Sequence, residues 1–194
     1  MILTVYTSGS IKKSTEDTKR LVWSDRERNA VSEGAKPHDV RFFNPDDPVP
    51  NLGDVLSMFG RDMYQVKHAD FVIVDARERR GIGIGVEILA SRILKTPLIV
   101  VAPPNSHYRK DYVFYRGAEV TDYIHPHLAV LADVVVDDFQ RAGKWMAAHK
   151  LPSHSIKGSE ALQTAIKAYE DMVLDQDACM QSILRELRGP GQEG

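Results

Sequence analysis

The stretch ADFVIVDARERRGIGIGVEILASRILKTPLIVV, residues 69–101, decides the fold. Phe71-Val72-Ile73-Val74 and Leu98-Ile99-Val100-Val101 are continuous apolar runs, the pattern of strands buried on both faces. Between them a glycine-rich turn leads into a helix predicted over about residues 85–94. Working outward, residues 2–7 are a β-rich run that stops at Ser8-Gly9-Ser10. Ser14-Thr15-Glu16-Asp17 then supply capping and acidic residues for a helix reaching about Glu33. Residues 39–43 read as a second strand, residues 44–50 as a loop with three prolines, and residues 53–68 as a helix. Downstream, residues 122–133 read as a short helix with loop, and Val134-Val135-Val136 as a weaker strand. Alternating strands and helices predict an α/β fold: a flavodoxin-like Rossmannoid sheet of about five parallel strands with helices on both faces.

Residues 150–158 read as a linker. Beyond it Leu162, Ile166, Tyr169, Val173, Gln176, Met180, Ile183 and Leu187 alternate spacings of four and three, the seam of one long C-terminal helix. The domains expected are therefore a catalytic-sized domain over residues 1–150 and an extension over 151–194. The extension packs either on a partner subunit, giving a homodimer or higher homo-oligomer, or across its own sheet. With 194 residues, 43% of them apolar, the chain is long enough for one α/β domain with a core. A formal charge of −2, from 25 basic and 27 acidic residues, gives no footprint for a nucleic-acid polymer or an anionic membrane, so a small ligand is expected. One cysteine, Cys179, no charged-then-apolar leader and no membrane-length apolar run together suggest a reduced, cytoplasmic protein. His125, His127, His149 and His154 show no metal-ligand spacing, and no metal site or cofactor is implied.

Two carboxylates stand out. Asp62 continues the helix stripe of Val55, Phe59 and Val66, which places it on the face expected to meet the core. Such a group either pairs with an arginine or caps a backbone segment, or it binds a ligand. Glu87 follows Gly81-Ile82-Gly83-Ile84-Gly85-Val86 at the carboxyl end of the third strand, where open α/β sheets bind ligands. It is expected in the first turn of a helix, where the dipole and free amides favour its ionised form. That position suits a helix-start charge as well as a nucleophile. The three alternating glycines tilt towards the second, because they let a ligand approach the backbone, which capping does not require. The run is not a dinucleotide fingerprint: it is G-x-G-x-G after the third strand, with no acidic residue ending a strand about 20 residues on.

In order, the chain carries Val5-Tyr6 and Ser8-Gly9-Ser10-Ile11-Lys12, Arg61-Asp62, residues 69–75, Gly83-Ile84-Gly85-Val86-Glu87-Ile88, and Lys95-Thr96-Pro97-Leu98-Ile99-Val100. Across about residues 2–118 it resembles the nucleoside 2-deoxyribosyltransferases and the related 2′-deoxynucleoside 5′-phosphate N-hydrolases. The resemblance implies that Glu87 attacks C1′ of the sugar, that Asp62 positions or protonates the base, and that Tyr6 lies beside them. A covalent glycosyl-enzyme would then pass to a second base or to water, as in a retaining glycosidase. Transferases acting on free nucleosides carry an aspartate six positions before the nucleophile, and Gly81 stands there instead. With the loop of Ser8, Gly9, Ser10, Ile11 and Lys12, this points to a 5′-monophosphate held by loop amides and by Lys12 or Lys13. Gly81, Gly83 and Gly85 complete the expected substrate contacts, with Ser106, His107 and Arg109 as further candidates in the polar segment 103–109. The alternative is a nucleotide-binding sensor of the same fold that does not turn its ligand over.

Overall fold

The computed structural model describes residues 1–9, 21–48, 53–149 and 156–188. It divides into two compact units, residues 1–159 and 160–194. The first is built on β1 (Ile2–Ser8), β2 (Asp39–Phe43), β3 (Phe71–Asp75), β4 (Leu98–Val101) and β7 (Val134–Val136), which pair in the order β2-β1-β3-β4-β7. Every pairing is parallel, as expected. Because β1 leads to one side and β3 to the other, the strand order reverses between them, and a crevice at their carboxyl ends is the ligand position of such sheets.

The period of two in β3 builds both cores at once. Phe71 and Ile73 pack with Val31, Phe139 and Met146 on the side of α1 (Asp25–Gly34) and α5 (Phe139–Ala148). Val72 and Val74 pack with Val66, Ile84 and Ile88 on the side of α2 (Val55–His68) and α3 (Ile82–Leu94). All five residues of β3 are buried, each large apolar one contributing about 1.5–3 kcal/mol. The β1–β3 register is locked by Asp70, whose carboxylate accepts from the amide and the hydroxyl of Thr4, both at 2.8 Å. On the other face α1 and α5 touch through glycines: a Cβ on Gly143 would lie 2.1 Å from the Val31 carbonyl oxygen.

Several elements differ from expectation. The first helix begins at Asp25, because Ser24 and Glu27 form a reciprocal capping box there; the start expected at residues 14–17 lies outside the described residues. Residues 109–124 form an antiparallel hairpin of β5 (Arg109–Tyr115) and β6 (Ala118–Ile124), so strand replaces the loop expected from residue 122. Its turn uses positive φ at Arg116 and Gly117, the geometry of a type I′ hairpin. The short helix of that segment is α4 (Pro126–Leu131). The end of α4 is tied to the chain before the second unit by Lys157, whose Nζ donates to the Ala132 and Val130 carbonyls at 2.6 and 2.9 Å.

The second unit is helical, as the heptad pattern suggests, but it is two helices rather than one. α6 (Glu160–Met172) gives way to a 3₁₀ turn at Leu174–Gln176, and α7 (Ala178–Arg188) follows. Asp177 makes the break: its carboxylate accepts from the Met180 amide at 3.0 Å and the Tyr169 hydroxyl at 2.8 Å, which starts a new helix where the seam alone would continue the old one. Among the described residues, no helix is long and apolar enough to cross a membrane.

Candidate active site

Glu87 is placed by α3. Ile84, Glu87, Ile88, Ser91 and Arg92 form that helix's buried stripe, at helical spacing, so the carboxylate points at the sheet. There it meets β1. Tyr6 and Ser8 are two residues apart on a strand and share one face. The Tyr6 hydroxyl donates to Oε1 of Glu87 at 2.8 Å, and the Ser8 hydroxyl donates to Oε2. Tyr6 and Ser8 are fully buried and Glu87 is 9% exposed.

The helix starts at Ile82, with Gly81 as its cap, so Glu87 is in the second turn and not the first. This reverses the electrostatic expectation. Burial, chiefly, pushes the Glu87 carboxyl up to about 7; the Ser8 and Tyr6 hydrogen bonds pull it down, and the charge of Asp62 pushes it up. Burial and then the charges of Glu87 and Asp62 hold the Tyr6 phenol well above its usual range, so it stays a donor.

Asp62 therefore lies within electrostatic reach of both groups. The face it was expected to share with the core is largely solvent-facing: Val66 is buried, but Val55 and Phe59 are 84% and 53% exposed. The stripe is helical, but only the carboxyl half of α2 reaches the sheet. Asp62 is half-buried, and burial raises its pKa while the Arg61 charge opposes the rise. Arg61 gives an N–H to the Pro45 carbonyl at 2.8 Å, and no hydrogen bond or ion pair to Asp62 occurs among the described residues.

The glycines divide into two kinds. A Cβ on Gly81, Gly83 or Gly85 would meet nothing within 4 Å, so packing inside the chain does not demand glycine there. Gly81 caps α3 without a side-chain acceptor, which leaves first-turn amides for another partner. Gly9 is different: a Cβ there would come within 2.8 Å of Cδ1 of Trp23, so the indole accounts for this glycine. Ser10, Ile11 and Lys12 lie outside the described residues, as does Lys13.

The segment 103–109 is tied to the neighbouring loop. The Tyr108 hydroxyl accepts the Arg80 amide at 3.0 Å, next to Gly81. The His107 ring is exposed and meets Tyr108 edge-on at 4.7 Å between centroids. Arg109 is engaged by Asp137 and the Ala102 carbonyl, and Oγ of Ser106 is buried without a hydrogen-bond partner among the described residues.

A network around Asp75 escaped the sequence reading. Fully buried at the end of β3, Asp75 pairs with Arg77 at 2.9 Å and Arg80 at 2.6 Å, and Arg77 reaches Glu27 at 2.8 Å. Arg80 also donates to the Leu21 carbonyl at 2.8 Å, so the loop before α3 grips the chain entering α1. The signal was available: a carboxylate closing a buried strand demands counter-charges, and arginines follow at positions two and five. A cleft of about 360 Å³ near this network, lined by Arg26, Glu27, Arg77, Asp137 and Phe139 among others, lies on the α1–α5 side. Its Arg77, Glu27 and Asp137 are already in ion pairs, so it offers a less reactive constellation than the buried carboxylate of Glu87. Among the described residues, no group of three or more side chains could hold a metal ion.

The fold has solved counterparts. The chain is similar to the 2-deoxyribosyltransferase from the psychrotolerant bacterium Bacillus psychrosaccharolyticus, with a TM-score of 0.50 at 17% identity, covering 75% of this chain and 93% of that one. It is similar to the 2-desoxiribosyltransferase from Leishmania mexicana, with a TM-score of 0.51 at 19% identity over 77% and 99% of the two chains. A conserved protein from Enterococcus faecalis V583 gives 0.51 at 13% identity, over 74% and 96%. At these identities the likeness shows a shared fold. No family model matches the sequence, and no curated protein matches it.

Proposed function

We propose that this chain, on a fold it shares with 2-deoxyribosyltransferases, cleaves the N-glycosidic bond of a nucleoside or (deoxy)nucleoside 5′-monophosphate. The observation that carries the reading is Glu87: a buried carboxylate at the carboxyl end of the sheet, with a donor on each oxygen and a second carboxylate, Asp62, in electrostatic reach. An anion aimed at the sugar stabilises the oxocarbenium-like transition state and can bond to its carbon. In the first half-reaction a Glu87 oxygen bonds to C1′ as the C1′–N bond breaks. The electron pair leaves with the base, which takes up a proton delivered by Asp62 or by water. In the second, water or another base attacks C1′, loses a proton to the deprotonated Asp62 or to solvent, and releases Glu87 as a carboxylate.

A monophosphate is the favoured substrate. The uncapped amides at the start of α3 and the open space at Gly81, Gly83 and Gly85 suit an anionic group close to the backbone. Tyr6 serves as the fixed donor that orients the nucleophile. The second reading is a sensor of the same fold that binds the nucleotide without turning it over. Incubation with a panel of nucleosides and 5′-monophosphates, followed by chromatography for free base, separates the two. Release of base supports the enzyme, and binding without release of any base supports the sensor.

The same reading includes self-association. Leu162 and Ile166 on α6, Val173 just beyond it, and Met180, Ile183 and Leu187 on α7 are exposed apolar positions of the seam. Val55, Leu56, Phe59, Ile82 and Ile93 add a second apolar face on α2 and α3, each more than half exposed. Surfaces of this kind mark interfaces, and a second copy of the chain is the partner proposed for them.

A further inference from the structure

We propose that Ser8 is a positioning residue of this reaction, its hydroxyl holding Oε2 of Glu87 in place for attack. The inference rests on the reading of Glu87 as the nucleophile. One donor leaves a carboxylate free to swing about its last bond; two donors on different oxygens fix its plane. Tyr6 supplies the first and Ser8 the second.

The backbone that presents the Ser8 hydroxyl is itself held from two sides. Ser8 pairs with Val74 across the β1–β3 ladder. Its carbonyl accepts the indole N–H of Trp23 at 3.0 Å. Trp23 in turn stacks edge-on against Phe139 at 4.8 Å and fills the space that a side chain at position 9 would need. Ser8 is fully buried, so water does not compete for its single proton. This is a different task from the substrate contact that its place in the glycine–serine loop suggests.

Tyr6 stays a phenol, its proton kept on by burial and by the Glu87 charge. A serine hydroxyl rotates, and it can donate to the anion or accept from the neutral acid. When Glu87 takes up a proton, either hydroxyl can turn to receive it. Ser8 thereby favours the anion as long as it donates, in keeping with its downward pull on the Glu87 carboxyl. A hydrogen bond to a charged group is worth enough to move that titration by about one to two pH units.

The test compares Ser8→Ala and Ser8→Thr with the wild-type full chain. The pH profile of kcat/KM is measured alongside a direct titration of Glu87 by carbon-13 NMR, its carboxyl signal identified by its loss in Glu87→Gln. The expected result is that Ser8→Ala moves both the acid limb of the rate profile and the Glu87 titration upward by about one to two units, while Ser8→Thr, which keeps the hydroxyl, stays near wild type. A uniform fall in rate with neither curve displaced would overturn the proposal and make Ser8 a substrate contact, with Glu87 still the nucleophile. A displaced NMR titration in a protein whose Glu87→Gln variant remains active would instead overturn the nucleophile reading, and this role with it.

Discussion

Replacing Glu87 by Gln should stabilise the protein near neutral pH. In the unfolded chain this carboxyl titrates at its ordinary 4.5, and in the fold at about 7. The neutral form is the one the fold prefers, so its contribution to stability is fully present below 4.5 and is lost as the pH rises through 7. At about 1.36 kcal/mol for each pKa unit, the displacement amounts to roughly 3 kcal/mol, a large part of a domain stability of about 5–15 kcal/mol. Gln keeps the shape and can accept from Tyr6 and donate to Ser8, but it never acquires the charge. Urea unfolding of both proteins from about pH 5 to about pH 8 reads the difference, with titrations common to the two cancelling. The stability of Glu87→Gln relative to wild type should grow by about 2–3 kcal/mol across that range and level off above it. A difference that stays flat with pH would refute the burial argument, because a charge that costs nothing to form is not desolvated.

The rate carries the opposite sign: the acid limb of kcat/KM should rise as the pH passes upward through about 7, where Glu87 becomes an anion, with a fall at higher pH where Asp62 is the proton donor, and a profile without that acid limb would contradict a carboxylate nucleophile. Asp62→Asn should lower kcat by about 10²–10⁴-fold while substrate still binds, measured by steady-state kinetics beside calorimetry. A 5′-monophosphate should exceed its nucleoside in kcat/KM by orders of magnitude, since charge-assisted hydrogen bonds contribute about 1.5–3 kcal/mol each, and equal values would remove the phosphate from the account. Deleting residues 159–194 should weaken self-association in sedimentation, where an unchanged assembly would show that the C-terminal seam plays no part in it.

Much of the sheet was legible because its signals are local and strong. The runs at residues 71–74 and 98–101 read as buried strands, and they are β3 and β4, with alternate side chains feeding the two cores. The β5–β6 hairpin was missed because its turn uses Arg116-Gly117 and its exposed face carries Tyr112 and Phe114, a mixture without clean alternation. The break at Asp177 was hidden by a heptad pattern that runs on through it, and only the competition between seam and cap decides the outcome. At the site, Glu87 and Tyr6 were singled out and are hydrogen-bonded, yet the helix start was placed several residues late. That error exchanged a dipole-stabilised anion for a desolvated one. The paired donors on Glu87 follow from strand periodicity once β1 is known to face α3, which is a tertiary fact and not a local one.

The central claim is that Glu87 bonds to the sugar, and its most direct test is base release by Glu87→Gln under conditions where the wild-type chain turns over. If Glu87 attacks C1′, a variant that folds and binds the same ligand should lose turnover by several orders of magnitude. A well-folded Glu87→Gln protein that releases base at nearly the wild-type rate would contradict the account.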